Sequence, residues 1–551
     1  MNKWIAAMCI FILLFVLAWF IFSKVFYLRS SPKTQALSTQ EQQQQLSHSK
    51  SANPKARKVI LIVVDSLLTS ALEEGLKQGI LPTFAYLKKQ GRYHDNLVSS
   101  FPTMSVAIDS TLLTGAYPDQ HRVPGLVWYS ADRRSMINYG TGPMEIAKAG
   151  LSPVLFNSFI HLNGQHLNPS LPTLYEELAQ KGFTSGSING FVYRGAKEHT
   201  LHIPPWLSRF TMLPPEIRVK GPDFLSFGIF ANPLEGRIDM TDDPFHRAGL
   251  NNYFSLETAS YLVQHDLLPD FLYVYLPDLD KQLHKKGPSD LSFVQKTDKQ
   301  LNDFLQQFGS LEKAQEKAVF ILIGDSGVTQ IDDRKEEAIV PLHELLQQYV
   351  LLKPGELPEA HTEMVLAVNE TMAYVYKLKQ SLSYRDIAKA VTADDRIDFI
   401  AWKEHDWIHA ASSRMADELR YKQGGPYKDP YGQTWTIEGD TKVLDVKLDE
   451  QGRSVVYDAY PDGLRRLHAA LHSHEGEFLI VTAKPGFELA DRSSPHHTGG
   501  GAHGALNKTE SLIPLFIYGT EEMPKHLRLV DLKEFLLKLT EQSRDLARNK
   551  E

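Results

Sequence analysis

The chain of 551 residues has a single cysteine, Cys9. It lies inside an apolar run that extends from Trp4 to Phe22. The rest of the chain has no thiol with which to form a disulfide or bind a metal ion. A disulfide-stabilised fold and a cysteine-ligated zinc site are therefore excluded for the globular part.

The chain also lacks an excess of positive charge after its first part. The formal net charge is −7, and residues 1–58 contain eight Lys or Arg and one Glu, so that the remaining residues carry −14. An acidic domain is a poor general binder of nucleic acid backbones, and we expect no nucleic acid binding. The basic segment at the start suits an anionic membrane surface.

The apolar run at residues 4–22 is long enough to cross a bilayer as one helix. No small-residue cleavage site of the signal-peptide kind follows it. We therefore predict a single-pass transmembrane signal anchor at residues 1–29. Residues 30–57 are rich in Gln and Ser without apolar periodicity, which predicts a flexible polar linker. Basic residues flank the run on both sides, so the positive-inside rule does not decide the orientation.

Strand-like and helix-like patterns alternate from Val59 onward. This alternation predicts an α/β fold with a mainly parallel central sheet and helices on both faces. The pattern loosens at residues 365–475, which we interpret as an inserted α+β cap. The sheet is then predicted to resume at EFLIVTAK and LIPLFIYG, so the catalytic domain comprises residues 58–364 and 476–551, ending in a helix.

Three runs that read as buried strands are each followed by an aspartate. Asp65 follows KVILIVV, Asp280 follows FLYVYL after a short gap, and Asp325 follows VFILIG. Because the carboxyl ends of parallel strands meet at one edge of a sheet, we expect these carboxylates to converge. The alternative for a single strand-end Asp is that it caps the next helix.

Two histidines accompany these carboxylates. Asp280 and His284 have i, i+4 spacing, which places them on one face of a helical turn, where they can bind one metal ion. Asp278 is the competing carboxylate, and a solvated Asp/His pair is the alternative interpretation. His503 lies in the glycine-rich segment GGGAHG, with His496 and His497 as further possible ligands.

Small hydroxyl residues precede the helix-like run VAIDSTLLTG. A hydroxyl at a helix amino terminus is suited to attack on a phosphoryl group, because the exposed N–H groups and the helix dipole favour an anion. It is equally suited to be a plain N-cap. Residue chemistry alone leaves Thr103 and Ser105 as alternatives.

With these segments assembled, the chain resembles the type I phosphodiesterase/nucleotide pyrophosphatase branch of the alkaline phosphatase superfamily. The resemblance covers residues 59 to about 519. Residues 102–105 (PTMS) match a P-T-x-T-type nucleophile segment, and residues 114–121 (TGAYPDQH) match a T-G-x-x-P-x-x-H segment. This match implies that Ser105 is the nucleophile.

The resemblance further implies an alkaline phosphatase-like fold, a phosphate-ester substrate and two divalent metal ions, expected to be Zn²⁺. One ion would be bound by Asp280, His284 and His503. The other would be bound by Asp65, Ser105 and Asp325. The implied reaction has two steps and a phosphoseryl intermediate. By analogy with the family, the catalytic domain is expected outside the cytoplasm.

Two positions depart from the family pattern. Ser326 stands where the family has a histidine ligand, and Ile108 stands where nucleotide pyrophosphatases have an asparagine. Serine is a poor zinc ligand, and isoleucine donates no hydrogen bond. These departures keep a catalytically impaired cell-surface binding protein open as an alternative, beside a phosphomonoesterase or phosphonate hydrolase. Nothing in the sequence indicates the substrate or an oligomeric state.

Overall fold

The computed structural model describes residues 39–140, 150–412, 418–449 and 451–548. The predicted signal anchor at residues 1–29, and the first part of the predicted linker, lie outside these ranges. Among the described residues, no helix is both long enough and apolar enough to span a membrane.

The strands are numbered in chain order. They are β1 Lys58–Val64, β2 Arg92–Val98, β3 Val127–Ser130, β4 Ser135–Asn138, β5 Ser185–Ile188, β6 Lys197–His202, β7 Glu216–Gly221, β8 Phe224–Ser226, β9 Phe271–Leu276, β10 Ala318–Gly324, β11 Thr329–Gln330, β12 Ile339–Pro341, β13 Met364–Asn369, β14 Met372–Lys377, β15 Ile397–Glu404, β16 Trp407–Ala411, β17 Leu419–Lys428, β18 Thr434–Gly439, β19 Val446–Asp449, β20 Ser454–Tyr457, β21 Phe478–Ala483, β22 Glu488–Ala490, β23 Gly501–Ala502 and β24 Leu512–Tyr518.

The α-helices are numbered in the same way. They are α1 Thr39–Ser49, α2 Thr69–Lys77, α3 Pro82–Gln90, α4 Ser105–Thr114, α5 Pro118–His121, α6 Leu151–Phe156, α7 Leu174–Gln180, α8 Pro205–Phe210, α9 Asn252–Gln264, α10 Asp278–Lys286, α11 Ser292–Leu305, α12 Leu311–Lys317, α13 Lys335–Ala338, α14 Leu342–Leu345, α15 Tyr384–Val391, α16 Gly463–Leu471, α17 Lys508–Ser511 and α18 Leu532–Arg548. A π-helix spans Asn157–His166, directly after α6.

The central sheet has seven strands in the order β2-β24-β10-β1-β9-β5-β8. The five strands from β10 to β8 run parallel to their neighbours, whereas β24 is antiparallel to both β10 and β2. The mainly parallel sheet predicted from the sequence is therefore confirmed. Every residue of β1 is buried, as expected for an apolar strand covered on both faces.

Two apolar cores cover the two faces of this sheet. Ile60 and Ile62 of β1 pack in one core with side chains of α2, α9 and α11. Leu61 and Val63 pack in the other core with side chains of α4, α7 and α18. Helices on both faces were predicted, and this arrangement confirms them. The strand ends between the two helical layers are where the candidate site residues lie.

The cap region contains a second sheet of nine strands. Strand β21 lies in the middle of this sheet, antiparallel to β14 on one side and β15 on the other. The prediction that the central sheet resumes at EFLIVTAK is therefore wrong, because that segment forms β21. All six residues of β21 are buried, so its sequence has no alternation to show which sheet it joins. The central sheet is rejoined only at β24.

Part of the predicted flexible linker is folded. Helix α1 packs onto the domain through Leu46, which is buried in the core with β1. Ser49 Oγ donates a hydrogen bond to the Leu267 carbonyl at 3.0 Å, and Gln42 Nε2 donates to the Glu235 carbonyl at 3.2 Å. The linker prediction fails here because one apolar side chain and several polar contacts, rather than an apolar stripe, attach the helix.

Candidate active site

The strand ends bring the three predicted carboxylates together. Val64 is paired with Leu276 of β9 and with Gly324 of β10, so the three strands end side by side. Asp65 directly follows β1 and Asp325 directly follows β10, while Asp280 lies in the first turn of α10, just after β9. Asp65 and Asp325 are 6% and 1% exposed. This is the edge of the sheet that the sequence predicted.

Asp280, His284 and His503 form one compact group whose ligand atoms all lie within 4.8 Å of one another. Asp280 Oδ1 is 3.1 Å from His284 Nε2 and 3.4 Å from His503 Nε2. Ligands of one tetrahedral zinc ion lie about 3.3 Å apart, given zinc–ligand distances near 2 Å. The separations therefore fit a single ion bound by all three side chains.

The orientation of both histidines is fixed from behind. His284 Nδ1 donates to the Gly501 carbonyl at 2.7 Å, and His503 Nδ1 donates to the Thr103 carbonyl at 2.6 Å. These bonds select the tautomer in which Nε2 carries the lone pair, as is usual for metal-bound histidine. A Cβ atom at Gly500 would lie 1.9 Å from the His284 carbonyl oxygen, so only glycine allows the chain to pass this close.

Asp65, Ser105 and Asp325 form the second predicted group. Ser105 is the first residue of α4, and its Oγ donates to Asp65 Oδ1 at 3.4 Å. Asp325 Oδ1 accepts the backbone N–H groups of Ser66 and Ser326, both at 2.7 Å. The other oxygen, Asp325 Oδ2, is buried without a hydrogen-bond partner among the described residues. A buried, unpartnered carboxylate oxygen is a position that a cation fits.

The charges in the site are strongly coupled. Burial, together with the charges of Asp280 and Asp325, raises the pKa of Asp65 well above its ordinary value. Burial also favours the neutral form of Asp280, but His284 and His503 outweigh it and hold the pKa of Asp280 well below its usual range. Burial lowers the pKa of His503, but Glu370 and Asp280 reverse this and raise it to about 9. A divalent cation would supply the positive charge that these carboxylates need, so the donor sets fit metal ions.

The structure separates the two candidate hydroxyls. Thr103 is fully buried, and its Oγ1 accepts the Gly504 N–H at 2.8 Å. Ser105, in contrast, lines the cavity that contains Asp65. The competing carboxylate Asp278 accepts the Asn252 N–H at 3.3 Å and belongs to neither metal group.

The comparisons with known proteins agree with this geometry. The family profile described as type I phosphodiesterase / nucleotide pyrophosphatase matches residues 59–506. The chain belongs to this family. The resemblance inferred from the sequence is thereby confirmed, as is the predicted class of enzyme, a hydrolase of phosphoric esters. The comparison with curated proteins gave no match.

Solved structures with the same fold have low sequence identity to the chain. Human ectonucleotide pyrophosphatase / phosphodiesterase 5 is 14% identical, with 88% of this chain and 95% of that chain covered and a TM-score of 0.50. Phosphonoacetate hydrolase from Sinorhizobium meliloti 1021, in complex with phosphonoformate, is 12% identical, with 88% and 96% covered and a TM-score of 0.53. At these identities the likeness shows the fold alone.

The two residues that depart from the family pattern, Ile108 and Ser326, are both buried. Ile108 is fully buried in the core beside the central sheet, so its side chain is part of the packing. Ser326 is also fully buried, and its Oγ lies 3.3 Å from Ser66 Oγ. Ser326 does not replace the histidine ligand well, and Ile108 does not donate the hydrogen bond of the asparagine.

Two further residues reach the site from the cap side. Glu370 occupies the turn between β13 and β14 with a left-handed φ of 57°, and its Oε1 is 3.8 Å from His284 Nε2. Its Oε2 accepts the His503 N–H at 3.0 Å. Glu370 is not predicted from the sequence, because a polar residue between two strand-like runs indicates only a turn. His497, noted only as a possible ligand, has its ring centroid 4.3 Å from that of His284.

One cavity, which we call the site cavity, is bordered by seven of the candidate site residues: Asp65, Ser105, Asp280, His284, Glu370, His497 and His503. It has a volume of about 370 Å³ and is lined by Asp65, Met104, Ser105, Val106, Leu126, Tyr139, Gly140, Phe191, Arg247, Asp280, His284, Val368, Asn369, Glu370, Ser494, Pro495, His497 and His503. Among these described lining residues, Arg247 is the sole Lys or Arg. The cavity therefore combines a hydroxyl, a carboxylate and imidazole cluster, and one cation.

Proposed function

We propose that the protein is a metal-dependent hydrolase that cleaves a phosphodiester or pyrophosphate bond through attack of Ser105 Oγ on phosphorus. The observation that carries the proposal is the position of Ser105. Its hydroxyl lies at the amino end of a ten-residue helix, in the site cavity and within 3.4 Å of Asp65. A hydroxyl at a helix amino terminus, beside carboxylates that fit a metal ion, is suited to attack on phosphorus.

Both groups have a part in this proposal. Asp280, His284 and His503 would hold one divalent ion, and Asp65, Ser105 and Asp325 would hold another. Imidazole and carboxylate donors suit zinc. When bound, such ions favour ionisation of the serine hydroxyl and stabilise the charge that develops on the phosphoryl and leaving oxygens.

The chain itself would position the reaction. The hydrogen bond to Asp65 orients the Ser105 hydroxyl, and the positive end of the α4 dipole favours the phosphoryl oxygens. Ser105 Oγ forms a bond to phosphorus as the bond to the leaving oxygen breaks. The proton that Ser105 gives up ends on the leaving oxygen. Water then attacks phosphorus, the bond between phosphorus and Oγ breaks, and one water proton restores the Ser105 hydroxyl as the phosphorylated product is released.

Arg247 supplies the positive charge that a phosphate ester needs at the cavity wall. Its side chain is 40% exposed, and its Nη1 lies 3.6 Å from Asp278 Oδ1. A partly exposed guanidinium can bind a second phosphate oxygen of the substrate as well as this carboxylate. Because Ile108 provides no polar group, we assign the anion contact to Arg247.

A second candidate function is that of a cell-surface binding protein that keeps the fold. The specific observation in its favour is Ser326, which is fully buried and cannot replace a histidine ligand well. For either function we propose attachment to the membrane through residues 4–22, with the catalytic domain outside the cytoplasm. The support for this is the apolar run itself.

The test is a hydrolysis assay with zinc-loaded protein in detergent. Bis-(p-nitrophenyl) phosphate, p-nitrophenyl phosphate and phosphonoacetate separate diesterase, monoesterase and phosphonate hydrolase activities. Ser105→Ala should abolish turnover, whereas Ser381→Ala, an exposed serine of the cap region, should leave it unchanged. Zinc-dependent turnover that survives Ser105→Ala would rule out the serine mechanism, and zinc binding with no turnover on any substrate would favour the binding protein.

A further inference from the structure

We propose that His284, Glu370 and His497 form a second metal-binding group, which shares His284 with the group of Asp280, His284 and His503. We call it the cap-side group, because Glu370 belongs to the turn between β13 and β14. The proposal rests on the proposed function and deepens it by adding an alternative metal position beside His284. Its test is metal content rather than turnover, so the two proposals can fail separately.

The donor atoms of the three side chains lie close together. One ligand atom from each of the three side chains lies within 4.8 Å of the others. His284 Nε2 and Glu370 Oε1 are 3.8 Å apart, and the imidazole rings of His284 and His497 have centroids 4.3 Å apart. Small rotations of the side chains would bring these atoms to the separations found around one zinc ion.

His497 is held in place by hydrogen bonds to Glu488. Its Nδ1 donates to Glu488 Oε1 at 2.7 Å, and its backbone N–H donates to Glu488 Oε2 at 2.9 Å. Glu488 is fully buried, so this carboxylate serves His497 rather than solvent. A carboxylate behind a histidine fixes the tautomer with the lone pair on Nε2, which is the arrangement found behind metal-bound histidines.

Glu370 is also held in place, through contacts that do not use its Oε1. Its Oε2 accepts the His503 N–H at 3.0 Å, and its backbone carbonyl accepts the Leu489 N–H at 2.9 Å. A non-glycine residue with positive φ is retained when the surrounding structure requires it, often at a functional site. Oε1 is thereby directed toward His284.

Two imidazoles and one carboxylate are the donor set of catalytic zinc sites that keep a fourth position open. All three side chains of the cap-side group line the site cavity, so an ion bound there would be reached by substrate. His284 Nε2 has one lone pair, so the two groups share this nitrogen and compete for it. The opposing explanation is that Glu370 only forms ion pairs with protonated histidines.

The experiment compares zinc content in full-length protein after gel filtration. His503→Gln disables the first group and should leave the cap-side ion bound. Adding His497→Gln, or Glu370→Gln, to His503→Gln should then lower the zinc content by one ion per chain. Adding His496→Gln instead is the matched control, because His496 is adjacent in sequence and outside both groups, and it should leave zinc content unchanged.

Equal zinc content in His503→Gln with and without His497→Gln would overturn the proposal. Circular dichroism identifies a variant that fails to fold. In that case, anomalous diffraction at the zinc edge is measured on crystals of Asp280→Asn, in which the first group no longer competes for His284. A peak between His284, Glu370 and His497 supports the cap-side group, and no peak at that position refutes it. Full zinc content without any turnover would refute the proposed function alone.

Discussion

Replacing Asp109 with asparagine should stabilise the protein, and more so at high pH. Asp109 is 1% exposed on α4, and its Oδ1 accepts the Tyr273 hydroxyl hydrogen at 2.7 Å. Burial is the largest cause that raises its pKa to about 7, from an ordinary value of 3.8. At about 1.4 kcal/mol per pKa unit, ionisation of Asp109 above pH 7 costs the folded state about 4 kcal/mol.

The direction in which stability changes with pH follows from which state of the protein holds the proton on Asp109. The folded protein keeps a proton on Asp109 that the unfolded chain releases above pH 4, so this residue lowers stability as pH rises from about 4 to 7. Asparagine has nearly the same shape, accepts the Tyr273 hydrogen bond and does not ionise. The free energy of unfolding of Asp109→Asn relative to the unmodified protein should therefore increase by roughly 3 kcal/mol between pH 5 and pH 8.

Urea-induced unfolding followed by tryptophan fluorescence at the two pH values measures this difference. Asp303→Asn, at an exposed position on α11, is the matched control and should show no such pH-dependent gain. If Asp109→Asn and the unmodified protein have the same dependence of stability on pH, the electrostatic reasoning about this buried carboxyl is refuted.

Three further substitutions test the roles of Arg247, Thr103 and Leu46. Arg247→Ala should raise KM for a phosphate diester about tenfold with a smaller effect on kcat, because a charge-assisted hydrogen bond contributes about 1.5 kcal/mol or more. The control Arg218→Ala, at an exposed position, should change neither KM nor kcat. Thr103→Val leaves the buried Gly504 N–H without its Thr103 acceptor and should lower the free energy of unfolding by about 1–3 kcal/mol, as measured in urea titrations. An unchanged free energy of unfolding would mean that this hydrogen bond does not stabilise the protein. Leu46→Ala should release α1 and speed tryptic cleavage at Lys50. The control Gln43→Ala, at an exposed position, should not have this effect. Equal cleavage rates in Leu46→Ala and the unmodified protein would mean that Leu46 does not attach the helix.

The central sheet and the strand-end carboxylates could be predicted because local sequence determines them. Strands β1, β9 and β10 are continuous apolar runs, and Asp65 and Asp325 follow directly where β1 and β10 end. The contacts of Glu370 could not be predicted, since its hydrogen bond to His503 joins residues 133 apart in sequence. The placement of β21 failed for the same reason, because pairing partners decide the sheet to which a fully buried strand belongs.

The most direct test of the central claim is to trap the reaction on Ser105. Zinc-loaded protein would be mixed with bis-(p-nitrophenyl) phosphate, quenched in acid within the first turnovers, digested and analysed by mass spectrometry. We predict a phosphorylated or p-nitrophenyl-phosphorylated Ser105 in the peptide that begins α4, absent in Ser105→Ala. Hydrolysis at a normal rate with no modified Ser105 at any quench time would contradict the account, because the phosphoryl group would then pass directly to water.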